Sequence, residues 1–342
     1  MTRNSMLTAT LLGRWDRPAV IITALHPFRV PPRIPIVMSG REWGLMGVLA
    51  VLWGVSFFFS KVALAELPPF TLVLGRFGIA ALALLLAARL GGQPIPRSPR
   101  VWAGFFVLGA LNSFIPFGLI AWGQVQLTSG LASILNATTP LFTALVAHAW
   151  GDERLTGHRV AGVLVGLAGV CVLIGPGVLG HLGAHTLAEL AIVGAAISYA
   201  FAGSYGRRFR ALPPVVAVAG MMSTAALMAL PVALVVDRPW TLAVGARTWG
   251  ALLGLALLST ALGFVIYFRV LATAGATNVM LVTLLMPIVA LLVGALVLGE
   301  LVTGAALAGM ALIGAGLLAI DGRLLGVRRA VTTPPSSRSK AA

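Results

Sequence analysis

Between residues 43 and 320 the chain is a succession of apolar runs, each about as long as a bilayer is thick, and nothing else constrains its fold as strongly. About 20 apolar residues in helical form cross the hydrocarbon core. Runs of that kind lie at roughly 43–64, 70–90, 101–122, 128–149, 156–176, 186–206, 214–236, 248–270, 276–298 and 302–320. The breaks between them carry turn chemistry: LPPF at 67–70, QPIPRSP at 93–99, GPG at 175–177 and LPP at 212–214. A chain that is 59% hydrophobic and 10% charged has more apolar surface than a soluble core can hold. Lipid offers the backbone no hydrogen bonds, so the spans must be helices. The expected fold class is an all-α membrane protein with ten transmembrane helices, and its first partner is the lipid bilayer.

The net charge of +15 would suggest nucleic acid in a soluble protein. Here the arginines cluster between spans, and no nucleic-acid partner is expected. With the termini inside, the cytoplasmic segments hold Arg89, Arg97 and Arg100, then Arg154 and Arg159, then Arg207, Arg208 and Arg210, then Arg269. The outer loops hold only Arg238 and Arg247. The positive-inside bias therefore puts both termini in the cytoplasm. Lysine occurs only at Lys61 and Lys340, a usage that fits a GC-rich bacterial genome and hence the bacterial inner membrane. The lone Cys171 rules out an intrachain disulfide. Residues 1–37 are basic, proline-containing and without a spanning run or signal-peptide pattern, so they read as a disordered extension. The tail 322–342 reads as a basic, disordered cytoplasmic segment.

The chain repeats itself. PLFTALVAHAWGDERLTG begins at Pro140, and PIVALLVGALVLGELVTG begins 147 residues later at Pro287. From Pro140 to Leu173 ten of 34 positions are identical at that offset, where composition alone gives roughly a tenth. A weaker echo at an offset of 146 pairs Trp53-Gly54 with Tyr199-Ala200, and Lys61 with Arg207. The units are 42–176 and 186–320, five spans each. Because five is odd, the second unit enters the membrane inverted. Inverted repeats around a midplane site are a recurring plan of secondary transporters.

The first span (LWGVSFFFSKVAL), the second (LGRFGIAALAL) and the duplicated Pro-to-Glu-x-x-Thr-Gly hairpin together resemble the EamA branch of the drug/metabolite transporter superfamily. That resemblance implies ten helices and movement of small organic solutes, often export of amino acids or metabolites.

Candidate site residues follow from backbone chemistry. A mid-helix proline frees the carbonyl four residues earlier: that of Asn112 for Pro116, Asn136 for Pro140 and Thr283 for Pro287. Each break sets a polar side chain beside a loose carbonyl at membrane depth, where irregular backbone is tolerated only inside protein or along a cavity. The bland reading is a kink that satisfies itself. Ser259, with Thr260 beside it, takes Asn112's place in the second unit. Pro231 frees only Leu227. Trp53 and Tyr199, paired by the repeat, are candidate cavity walls. Lys61 and Arg76 are placed near the outer ends of adjacent spans, with Glu66 in the loop between; snorkelling, an ion pair with Glu66, or attraction of a solute carboxylate each account for them. Glu153 and Glu300 are expected to support the start of the helix that follows each, beside the N-caps Thr156 and Thr303.

None of the nine acidic residues lies mid-span, which leaves ion coupling open. No nucleophile elbow, paired aspartates or phosphate loop appears, so neither a cofactor nor an enzymatic activity is expected. The expectation is an alternating-access carrier of a small organic solute, with a cavity between spans 1, 3, 4, 6, 8 and 9. An exchanger of phosphorylated or sugar-linked metabolites is the nearest alternative and would need more midplane cations. A membrane-embedded lipid-handling enzyme would need a chemical constellation the chain lacks. The sequence leaves the oligomeric state open.

Overall fold

A computed structural model describes residues 38–149, 156–174, 183–209, 211–274, 276–279 and 281–321. The expected disordered ends, 1–37 and 322–342, lie outside these residues, as does Glu153. The fold is all-α. The helices are α1 (Gly40–Ala63), α2 (Pro69–Leu90), α3 (Pro99–Gln126), α4 (Ser129–Ala149), α5 (Gly157–Ile174), α6 (Ala184–Phe209), α7 (Pro214–Asp237), α8 (Ala246–Leu271), α9 (Val282–Leu298) and α10 (Gly304–Asp321). A single turn, Ala276–Val279, precedes α9.

Local signals explain where the helices start. Ser39 and Glu42 form a reciprocal capping box on α1. Proline stands in the first turn of α2, α3 and α7, where its missing N–H costs no helical bond. Thr303 caps α10 by accepting from the Ala306 N–H at 3.1 Å. Thr156 sits at the corresponding place before α5, but its hydroxyl meets the His158 ring at 3.1 Å.

The two five-helix units interlock. In the first, α1 packs against α8 and α9 of the second; in the second, α6 packs against α3 and α4 of the first. Two further pairs, α2 with α7 and α5 with α10, join equivalent helices. The offset of 147 is visible in atomic detail. A Cβ on Gly162 would lie 2.6 Å from the Gly316 carbonyl oxygen, and one on Gly309 would lie 3.0 Å from that of Gly169. These contacts are mates, since 162 corresponds to 309 and 169 to 316. Small residues let the α5 and α10 backbones touch, as membrane helix pairs require when lipid supplies no hydrophobic drive. The aromatic contacts obey the same relation. Trp53 meets Phe264 and Tyr199 meets Phe117, each edge-on at 5.8 Å.

Irregular backbone is present before two of the three prolines, Pro116 and Pro140, and differs in form. Helix α4 is broken at residues 137–138 between Ser129–Asn136 and Thr139–Ala149. In α9 Pro287 lies within one continuous α-helix, Val282–Leu298. Helix α3 contains a π turn, Ala110–Phe114, just before Pro116. Helix α8 contains a longer one, Gly254–Leu262, without any proline.

Candidate solute-binding site

At the α4 break, the carbonyl that Pro140 releases belongs to Asn136 and accepts from Thr139 Oγ1 at 2.7 Å. The backbone is thus satisfied locally, as the bland reading required. The side chain is not, because Asn136 Oδ1 is buried with no hydrogen-bond partner among the described residues. Across from it, Thr283 and Pro287 of α9 share a cavity of about 180 Å³ with Ile134 and Ala137 of α4 and Met310 of α10. Asn136 is flanked by two of these wall residues without lining the cavity itself. The structure therefore brings Thr283 to the α4 break.

A second cluster forms around Arg76. The side chain lies about two turns into α2 and is 6% exposed, deeper than the outer-end position the sequence suggested. Its Nε donates to Thr260 Oγ1 at 2.8 Å, and that hydroxyl donates to the Leu255 carbonyl across the π turn of α8. The guanidinium carbon, Cζ, lies 4.0 Å from the Phe117 ring centroid and 5.8 Å from that of Phe77. Tyr199, edge-on to Phe117, completes the aromatic wall. Beside Thr260, Ser259 is buried and its Oγ has no partner among the described residues. Among the described residues the guanidinium meets no carboxylate.

The ion pair with Glu66 is corrected by the structure. Glu66 accepts from the Gly245 N–H at 2.7 Å. Lys61 donates from Nζ to the carbonyls of Gln124 and Leu127, at 2.7 and 2.8 Å. These are free carbonyls at the end of α3, which a cation satisfies well. Asn112 also departs from the expected convergence. Its Nδ2 lies 3.2 Å from Met221 Sδ on α7, so it does not join Asn136 and Thr283. Trp53 stacks on Tyr267 at 5.4 Å and leans on Phe264, walling the α1–α8 contact.

Glu300 does not serve the helix that follows it. Its carboxylate accepts from the Ser129 N–H at 2.8 Å and so caps α4, in the other repeat. Glu189 is buried one turn inside α6, with His185 at 3.5 Å as its described partner. Phe117 is a further candidate that the sequence reading did not name, and Thr260, named there only as the neighbour of Ser259, is another. Phe117 follows Pro116 directly, and Thr260 follows Ser259, so adjacency to predicted sites was the available signal.

An interlocked pair of inverted five-helix repeats, with broken helices and a buried cation between them, defines a polytopic membrane carrier. The EamA-like transporter family matches the chain twice, at residues 42–175 and 186–320, and the chain belongs to that family. A probable terminal-alkyne amino-acid exporter of Streptantibioticus cattleyicolor is 30% identical, over 87% of this chain and 98% of its own length. A protein named as an uncharacterized transporter, YvbV of Bacillus subtilis, is 27% identical over 72% of this chain and 80% of its own. A probable amino-acid metabolite efflux pump of Escherichia coli is 28% identical over 74% and 86%. A crystal structure with TM-score 0.61 and 24% identity covers 83% of this chain and 98% of that one, and shares its fold.

Proposed function

We propose that the protein exports a small organic solute bearing a carboxylate, of amino-acid kind, across the bacterial inner membrane by alternating access. The observation that carries this reading is Arg76. A guanidinium buried at membrane depth needs a compensating anion or strong hydrogen bonds. Among the described residues Arg76 has one hydroxyl and two aromatic faces, and no acid. A solute carboxylate supplies the missing charge, and the planar fork of arginine matches its two oxygens. Phe117 and Tyr199 then offer an apolar wall to the rest of the solute. Two relatives named for amino-acid export support this reading. Exchange of phosphorylated metabolites fits less well, because it calls for several cations and Lys61 is already engaged with backbone carbonyls.

The test is a growth-inhibition screen in cells with and without the protein, using toxic amino acids and the matching decarboxylated amines. Protection against the acids alone is expected. Protection against the amines alone, or against neither set, would overturn the reading.

A further inference from the structure

Of the helices that begin at the end of the molecule that carries Lys61 and Glu300, three, namely α2, α4 and α8, are capped by a carboxylate from the opposite repeat. Glu300 of the second repeat accepts from the N–H groups of Ser129 and Gly130, at 2.8 and 3.4 Å, at the start of α4. Asp237 of the second repeat accepts from the N–H and hydroxyl of Thr71, at 2.6 and 3.0 Å, in the first turn of α2. Glu66 of the first repeat accepts from the N–H of Gly245, the N-cap residue of α8. The free N–H groups and partial positive charge of a helix N-terminus suit a carboxylate. Every one of these bonds crosses between the units that must separate when a path opens here.

The repeat shows what the opposite end has in their place. An offset of 146 or 147 puts Leu212 or Pro213 at the mate of Glu66, and Gly91 or Leu90 at the mate of Asp237. None of these has a side chain that accepts a hydrogen bond. The third glutamate does recur, as Glu153, but its support does not. Glu300 folds back over Gly294, where a Cβ would collide with Oε2; the mate of Gly294 is Ala147. The turn before Glu300 uses Gly299 at φ +67°, a left-handed conformation that glycine adopts freely, and its mate is Asp152.

We propose that Glu66, Asp237 and Glu300 are the gate at this end, that it is closed at rest, and that the carrier opens preferentially at the other end. The proposal rests on the alternating-access reading. With both termini in the cytoplasm the gated end is the outer one. The resting carrier then loads solute from the cytoplasm, as export requires. Glu300 holds the half-helix that ends at Asn136, so breaking its bonds frees the element next to the candidate site.

The test reads access rather than transport, so it stands or falls separately from the identity of the solute. In a Cys171→Ser background, Asn136→Cys reports access to the midplane. Leu301→Cys, at a residue 87% exposed beside Glu300, identifies the gated side. An impermeant thiol reagent is applied to membrane vesicles of each orientation. Asn136→Cys is expected to label faster from the side opposite Leu301→Cys. Adding Glu300→Ala or Asp237→Ala should raise its labelling from the Leu301 side about tenfold, the population shift expected on losing a charge-assisted bond. Gly294→Ala should do the same with every carboxylate intact. Glu300→Gln, which keeps an acceptor oxygen, should fall between. The proposal fails if Glu300→Ala, Asp237→Ala and Gly294→Ala all leave labelling from the Leu301 side unchanged. It fails equally if the unmodified gate already labels faster from that side.

Discussion

Arg76 is a basic residue that the sequence could single out but could not pair. Its isolation in an apolar span was legible, whereas its neighbours come from α3, α6 and α8 and no spacing rule reaches them. Glu66 was the natural partner by proximity along the chain, yet α8 brings the Gly245 N–H closer. Arg76→Gln should abolish transport at normal membrane abundance. Arg76→Lys should restore only part of it, because an ammonium lacks the planar face that lies on Phe117, a contact worth about 2 kcal/mol when desolvated. Asn136 offers a sharper signature. Leucine there removes a buried acceptor without a partner, relieving about 1–3 kcal/mol of desolvation cost. Asn136→Leu should therefore melt no lower than wild type by thermal shift in detergent, while solute efflux is lost. A fall in both would return Asn136 to a purely structural role.

The helices themselves were legible from apolar length and proline punctuation, including the α4 break. The π turn of α8 was not, because the place of Pro116 is taken there by Gly263, against which the Trp53 ring lies. What holds that turn is the Thr260 hydroxyl on the Leu255 carbonyl, a contact with no sequence signature. Gly162 and Gly169 of α5, with Gly309 and Gly316 of α10, are the positions where the two backbones touch. Gly162→Leu should lower the melting temperature and membrane yield, since side-chain atoms would have to enter the Gly316 backbone; overpacking of this kind costs about 1–3 kcal/mol or more. The loop contacts also carry a pH dependence. The Gly245 N–H, followed by the Thr248 hydroxyl, holds the Glu66 carboxyl below its ordinary pKa. A lowered folded pKa stabilises at neutral pH, and that stabilisation is lost as pH falls through and below the ordinary carboxylate range. Melting temperatures followed downward through that window should fall less in Glu66→Gln than in the wild type.

At the scale of the molecule, we propose from the arginine distribution that both termini are cytoplasmic. Cysteine placed at Gly183 should react with an impermeant thiol reagent added outside intact cells, and cysteine at Ser98 should not. The reverse pattern would remove the inside-termini topology and with it the outward position of the gate. Ten spans, duplication and inversion follow from the sequence alone, because hydrocarbon thickness fixes the length of a span and an odd number of spans fixes the inversion. Even single contacts, such as Gly162 with Gly316 and Tyr199 with Phe117, repeat at the offset read from the chain. What only the tertiary structure decided is where the few charged groups go. Lys61, Glu66, Asp237 and Glu300 each bond to backbone at the end of a helix that is distant along the chain. A charge in or near a membrane takes the best dipole within reach, and reach is set by packing rather than by order in sequence.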